Sequence, residues 1–171
     1  MSVNRGKQFE EVVKESFLKL SNVSIDRLHD QTNGFLGSKN ICDFIVYRKP
    51  YEYYIECKSV HGNTLPFTNI TDRQWNGLLE KSQINGVFAG ILCWWVDKDV
   101  TRFIPIQMLN FLREFCKMKS YRYDIVDIED IELAYMYKSV LIQGKKKRVF
   151  FDYDMEELLN EIPNWRCKKD W

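Results

Sequence analysis

The sequence has few of the residues that build zinc sites or disulfide frameworks. It contains two histidines, His29 and His61, and five cysteines that are widely scattered, with no C-x-x-C pair. A structural zinc site needs clustered cysteine and histidine ligands, and a disulfide framework needs an even set of cysteines. The sequence therefore argues against both.

Long apolar stretches and a surplus of charge of one sign are also missing. The longest apolar run, residues 86–96, is too short to span a bilayer, and the first twenty residues lack the apolar core of a signal peptide. We therefore expect a cytoplasmic protein that has no membrane partner. The formal net charge is +1, so any attraction to nucleic acid has to come from local patches.

The composition is that of a folded protein. Hydrophobic residues make up 45% of the 171 residues and charged residues 29%, and no Pro-, Gly- or Ser-rich linker divides the chain. We expect one domain that covers residues 1–171.

Hydrophobic periodicity predicts an α/β protein. Residues 7–20 have a helical apolar face, with Glu10 at its flank and Glu11 pointing into solvent. Two runs rich in Ile, Val, Phe and Tyr, joined by a short Pro-containing connection at 48–52, predict an antiparallel hairpin. In its second strand, alternation places Ile55 and Cys57 on one face and Tyr54, Glu56 and Lys58 on the other.

The remainder of the chain continues the alternation of helices and strands. Thr71-Asp72-Arg73-Gln74 fits a capping box that opens a helix ending near residue 83. Further predicted elements are a buried strand at 86–96, its neighbour at 101–106, a helix at 106–117 with Phe115 and Cys116 turned inward, strands near 133–142 and 149–153, and a helix at 155–161. This order predicts a mixed β-sheet flanked by helices.

Three acidic residues and one lysine form a candidate catalytic set. Asp43 and Glu56 lie on the two strands of the predicted hairpin, and Lys58 shares a face with Glu56. Phosphodiester hydrolysis at neutral pH uses a divalent ion, and Mg²⁺ prefers carboxylate oxygens and water as ligands. Glu10, at the flank of the first helix, could supply a third ligand or a water-mediated one. The alternative interpretation of Glu56 and Lys58 is an ion pair at the edge of a sheet.

These residues resemble the PD-(D/E)xK nuclease superfamily. The resemblance rests on Asn4-Arg5-Gly6 followed by Glu10, on Asp43, on Glu56-x-Lys58 and on the segment from Pro66 to Gln74, and it extends through the 86–96 strand. Within the superfamily, the pattern is most similar to RecU-type Holliday junction resolvases, also known as the penicillin-binding-protein-related factor A family. The resemblance implies a restriction-endonuclease-like core and a homodimer that cleaves branched DNA.

The resemblance also implies roles for single residues. It makes Glu10, Asp43 and Glu56 ligands of Mg²⁺, with Mn²⁺ as a substitute ion, and Lys58 the catalytic lysine. Gln74 corresponds to a catalytic glutamine, although the capping box explains it equally well. Ser38 and Lys39 resemble the polar loop that precedes the first aspartate in some resolvases and could contact phosphate, with a flexible solvated loop as the alternative. No nucleotide cofactor is expected.

The sequence defines the DNA contacts and the substrate less narrowly than the catalytic residues. Arg5 and the basic run Lys145, Lys146, Lys147 and Arg148 are candidate DNA contacts, although a basic run can also be a solvated turn. RecU-type proteins have a long stalk between the first helix and the aspartate, whereas residues 21–40 are short and irregular. A restriction-like or repair nuclease acting on duplex or flapped DNA therefore remains an alternative, as does an inactive DNA-binding module of the same fold.

Overall fold

A computed structural model describes residues 5–28, 40–130, 135–147 and 151–166, without the side chains of 129, 130, 135, 136 and 164–166. The helices are α1 (Arg5–Leu18), α2 (Asp72–Lys81), α3 (Ile106–Glu114) and α4 (Met155–Arg166). The strands are β1 (Ser24–Arg27), β2 (Phe44–Arg48), β3 (Tyr51–Val60), β4 (Thr64–Pro66), β5 (Val87–Trp95), β6 (Val100–Pro105), β7 (Ser120–Arg122), β8 (Asp127–Asp130), β9 (Tyr135–Lys138), β10 (Val140–Leu141), β11 (Gly144–Lys146) and β12 (Phe151–Tyr153).

A six-stranded mixed sheet forms the centre of the fold. Its strand order is β1-β2-β3-β5-β6-β10. The β3 and β5 strands are parallel and are connected through α2, whereas the other neighbours are antiparallel. Helices cover both faces, which confirms the predicted α/β class with a mixed sheet flanked by helices. No helix among the described residues is long and apolar enough to cross a membrane.

The β2–β3 hairpin has the predicted register and facing. Ile55 pairs with Phe44, and both are fully buried. Ile55 and Cys57 pack with the aromatic residues of α1, while the intervening side chains face α2. Successive side chains alternate between the faces of a strand, so Glu56 and Lys58 share the α2 face as predicted.

The β5 strand is buried along its whole length, as the apolar run predicts. Trp94 packs in the cluster beneath α1 and α4, whereas Trp95 packs in the cluster beneath α2 and α3. At Gly90, an added Cβ would lie 2.3 Å from the carbonyl oxygen of Ile104 on the neighbouring strand. Glycine at this position therefore allows β6 to approach β5 closely.

Several features differ from the sequence-based expectations. The strand predicted near 133–142 is divided into β9 and β10, which belong to different sheets, and the basic run expected to be a turn contains β11. The segment expected to be irregular contains β1, which extends the sheet by pairing with β2. Phe115 and Cys116 are exposed rather than turned inward, because α3 ends at Glu114 and the chain then leaves the helix face that packs on the sheet. The last helix, α4, continues to Arg166 rather than ending near 161.

Candidate active site

Asp43 lies immediately before β2 and is held against β3. Its backbone N–H donates to the carbonyl of Ile55 at 3.1 Å, which continues the hairpin ladder by one residue. Its carboxylate Oδ2 accepts a hydrogen bond from the backbone N–H of Cys57 at 2.7 Å. The main chain of the neighbouring strand therefore fixes the orientation of the Asp43 side chain.

Glu56, Lys58 and Gln74 form a connected polar group between β3 and α2. Glu56 Oε1 accepts hydrogen bonds from Lys58 Nζ at 2.7 Å and from Gln74 Nε2 at 2.6 Å. Lys58 Nζ also lies 3.4 Å from Gln74 Oε1. The structure therefore brings three of the predicted catalytic residues into direct contact.

Gln74 takes part in the capping box of α2 and also contacts the polar group on β3, so the two roles that the sequence allows for it are compatible. Its Oε1 accepts a hydrogen bond from the backbone N–H of Thr71 at 3.0 Å, and its own N–H donates to the Thr71 hydroxyl, which completes the predicted capping box. The same side chain donates to Glu56. The start of α2 is thus tied to the polar group on β3, and a catalytic role for Gln74 stays a prediction.

Burial makes the two carboxyls of the hairpin hard to ionise together. Loss of solvation raises the pKa of Glu56 to about 8, and the charge of Asp43 adds to this shift although Lys58 opposes it. Loss of solvation likewise raises the pKa of Asp43 to about 6, against the hydrogen bond from Cys57. Negative charge at this site is therefore not fully compensated by its neighbours.

Glu10 lies on α1 near these carboxyls, but it is turned toward a cation. Its side chain is 22% exposed, at the flank of the helix as predicted, and Oε2 lies 2.5 Å from a guanidinium nitrogen of Arg27 on β1. The Glu10 charge still contributes to the raised pKa of Asp43. Among the described residues, no three His, Cys, Asp or Glu side chains are gathered closely enough to hold one ion.

The donor set nevertheless fits a hard divalent cation. Asp43 and Glu56 offer carboxylate oxygens, which Mg²⁺ and Mn²⁺ prefer. Their raised pKa values show that a positive charge beside them would relieve repulsion and desolvation. Asp43 and Glu56 would therefore hold the ion, and Glu10 is near enough to influence their charge.

The candidate DNA contacts lie on exposed surface where they are described. Arg5 begins α1, and its charge lowers the pKa of Asp97, after the hydrogen bonds that Asp97 accepts from Gly62 and His61. Lys145 and Lys146 are on β11. Ser38, Lys39 and Arg148 lie outside the described residues.

The basic run is partly neutralised by acidic neighbours. Lys146 forms an ion pair with Asp99, and Lys147 Nζ lies 3.5 Å from Asp152. Within the part of the chain that the structure describes, Lys145 has no ion-pair partner. The three lysines are therefore not equivalent as candidate phosphate contacts.

Arg27 is a site residue that the sequence does not indicate. It contacts Glu10 and Glu11, seventeen and sixteen positions earlier in the chain, and packs over the ring of Phe44 at 6.0 Å. These contacts depend on how α1 docks against β1. The sequence around Arg27 has no recognisable motif, so these contacts could not be predicted from it.

Comparisons with known proteins give a partial likeness to solved structures. No protein-family model matches the chain, and no curated protein matches it. Among solved structures, the chain is similar to Hjc of Archaeoglobus fulgidus, a Holliday junction resolvase from an archaeal hyperthermophile. The identity is 20%, the similarity covers 60% of this chain and 78% of Hjc, and the TM-score is 0.45. The RecU-type assignment stays a prediction.

Proposed function

We propose that residues 1–171 form one PD-(D/E)xK nuclease domain, a Mg²⁺-dependent endodeoxyribonuclease that cleaves branched DNA. The observation that carries the proposal is the arrangement on the β2–β3 hairpin. Two desolvated carboxyls, Asp43 and Glu56, come from adjacent strands, and Lys58 is bound directly to Glu56. A sheet-edge ion pair alone would not explain the second desolvated carboxyl, that of the half-buried Asp43.

Each residue has a distinct part in the proposed chemistry. A bound divalent ion would neutralise phosphate charge and acidify a water molecule. Asp43 and Glu56 would provide its ligands, and Glu10 would add a third once it is released from Arg27. Lys58, 20% exposed and fixed by Glu56, can donate a hydrogen bond to a phosphate oxygen as negative charge develops. Gln74 fixes the orientation of Glu56.

Resolution of branched DNA requires cuts in two DNA strands, and this requirement suggests how many copies of the chain act together. One such site cleaves one strand, so symmetric resolution of a four-way junction uses two copies related by a twofold axis. We therefore propose a homodimer acting on branched DNA, with Arg5 and the lysines of 145–147 contacting phosphates. The principal alternative is a nuclease of the same type that acts on duplex or flapped DNA.

Cleavage assays on two substrates test this proposal. A labelled four-way junction and a linear duplex of the same sequence are incubated with Mg²⁺ and the wild-type protein, Asp43→Asn or Lys58→Ala. We expect faster cleavage of the junction, no cleavage by Asp43→Asn, and a loss of about 100-fold or more for Lys58→Ala, while binding measured in Ca²⁺ persists.

Asp26→Asn is the matched control, because Asp26 is exposed on β1. Wild-type rates from Asp43→Asn or Lys58→Ala would remove the site assignment. Equal cleavage of both substrates would favour the duplex nuclease, and binding without cleavage by the wild type would favour the inactive module.

A further inference from the structure

We propose that Arg27 is an internal counter-ion that competes with the divalent cation for Glu10 and so weakens metal binding. This inference rests on the proposed function and adds a regulatory residue to the same site. It concerns a contact between α1 and β1, outside the resemblance on which the catalytic residues were predicted.

The geometry shows a guanidinium shared by two carboxylates. One terminal nitrogen of Arg27 lies 2.5 Å from Glu10 Oε2, and the other lies 2.9 Å from Glu11 Oε2. The side chains of Arg27 and Glu10 are each only 22% exposed, whereas that of Glu11 is 48% exposed. The Glu10 contact is therefore the less solvated of the two and the stronger electrostatically.

The backbone places this contact beside the candidate metal ligands. Leu28, the residue after Arg27, donates its N–H to the carbonyl of Asp43 at 2.8 Å. The end of β1 thus joins Glu10 on α1 to the residue that precedes β2. A positive charge at this position occupies one Glu10 oxygen and repels an incoming cation.

Glu11 explains how the competition can be reversible. When a cation binds near Asp43, Glu10 can exchange the guanidinium for the metal while Arg27 keeps its bond to Glu11. Arg27 is then not left without a partner. Glu11, which the helical wheel places in solvent, keeps Arg27 in place through its own ion pair with the guanidinium.

Mn²⁺ binding to the metal-free protein of 171 residues tests the proposal. Free Mn²⁺ is measured by electron paramagnetic resonance during titration of the wild type and of Arg27→Gln. We expect Arg27→Gln to lower the Kd about tenfold, equivalent to about 1.4 kcal/mol. Arg27→Lys, which keeps the charge, should have a Kd close to that of the wild type.

Two further comparisons separate competition at Glu10 from general effects. Arg48→Gln removes an arginine paired with Glu156 on α4 at 2.6 Å and should leave the Kd unchanged. In a Glu10→Gln background, Arg27→Gln should change the Kd by less than about threefold, because the shared carboxylate is gone. Circular dichroism melting checks that every variant is folded.

The outcomes distinguish this proposal from the proposed nuclease function. If the wild type binds no Mn²⁺ and cleaves no DNA, both fail. If the wild type binds Mn²⁺ and cleaves DNA, but Arg27→Gln binds no more tightly, only the role of Arg27 is overturned. An equal effect of Arg27→Gln with and without Glu10 would also overturn it.

Discussion

At the scale of single residues, Glu56 combines deep burial with hydrogen bonds that favour its charged form. It is 4% exposed and accepts hydrogen bonds from Lys58 and Gln74, yet its pKa is raised to about 8 because desolvation and Asp43 outweigh them. In the absence of metal, the folded protein therefore keeps a proton at this site at pH values where the unfolded chain has lost it.

This proton makes the stability of the metal-free protein depend on pH. A carboxyl whose pKa is raised on folding stabilises the fold fully below about pH 4.5, and that contribution is lost as pH rises through about 8. We expect the melting temperature in EDTA to fall between pH 5 and pH 8.5, and less steeply in Glu56→Gln. Saturating Mg²⁺ should raise the wild-type melting temperature at pH 8. Equal slopes for both proteins would contradict this prediction.

Gln74 can be altered without removing its acceptor in the capping box. In Gln74→Glu, a carboxylate oxygen can still accept from Thr71 and Lys58, but the donor to Glu56 is lost and a negative charge is added. We expect cleavage to fall about tenfold or more while the helix content by circular dichroism is retained.

The control for this change is Gln83→Glu, because Gln83 is exposed beyond the end of α2. Cleavage by Gln83→Glu should equal that of the wild type. If Gln74→Glu were also fully active, Gln74 would have no role in cleavage and would serve only in the capping box of α2.

At the scale of elements, the start of α2 links stability to the site. Thr71 accepts a hydrogen bond from the backbone N–H of Gln74 and has extended backbone geometry, as an N-cap requires. We expect Thr71→Ala to lower the free energy of unfolding by about 1 kcal/mol in urea denaturation. Thr71→Ser keeps the hydroxyl and should stay within experimental error of the wild type. An equal loss in both variants would rule out the cap as the cause.

Elements with strong local signals could be predicted from the sequence. The hairpin is marked by β-branched and aromatic runs around a Pro-containing turn, α2 by its capping box, and β5 by an unbroken apolar run. The facing of Glu56 and Lys58 then follows from alternation along β3. These signals place Asp43 near Glu56 and Lys58, whereas Gln74 is linked to them only through the family resemblance.

Elements that depend on docking could not be predicted in the same way. The four residues of β1 alternate between exposed and half-buried, and their strand geometry comes from pairing with β2 at the edge of the sheet. The Glu10–Arg27 ion pair requires α1 and β1 to be packed together. Phe115 looks like part of the α3 apolar face, but it lies beyond the end of the helix and is 66% exposed.

At the scale of the whole molecule, positive charge is distributed in small groups rather than in one field. The formal net charge is +1, and most of the described ion pairs join residues on the surface. DNA affinity should therefore depend on a few lysines and arginines whose charge is not already balanced.

Lys145 should contribute more to DNA binding than Lys146 does. Lys146 is paired with Asp99, whereas Lys145 has no acidic partner among the described residues. In fluorescence anisotropy at several salt concentrations, we expect Lys145→Ala to reduce the slope of log K against log salt by about 0.9, the value of one phosphate contact. Lys146→Ala should reduce it by less.

Lys49→Ala is the control, because Lys49 is exposed at the hairpin turn, at the opposite end of β2 from Asp43. An unchanged slope in Lys145→Ala would mean that Lys145 is solvated on β11 and contacts no phosphate.

Trp94 and Trp95 are consecutive in β5 but belong to opposite layers of the fold. Replacing one of these indoles at a time with phenylalanine therefore removes one fluorophore from a single layer, while Trp75 stays in the layer of α2 in both variants. Stopped-flow refolding of the two variants can then follow separately how the layer of α1 and the layer of α2 assemble on their common sheet.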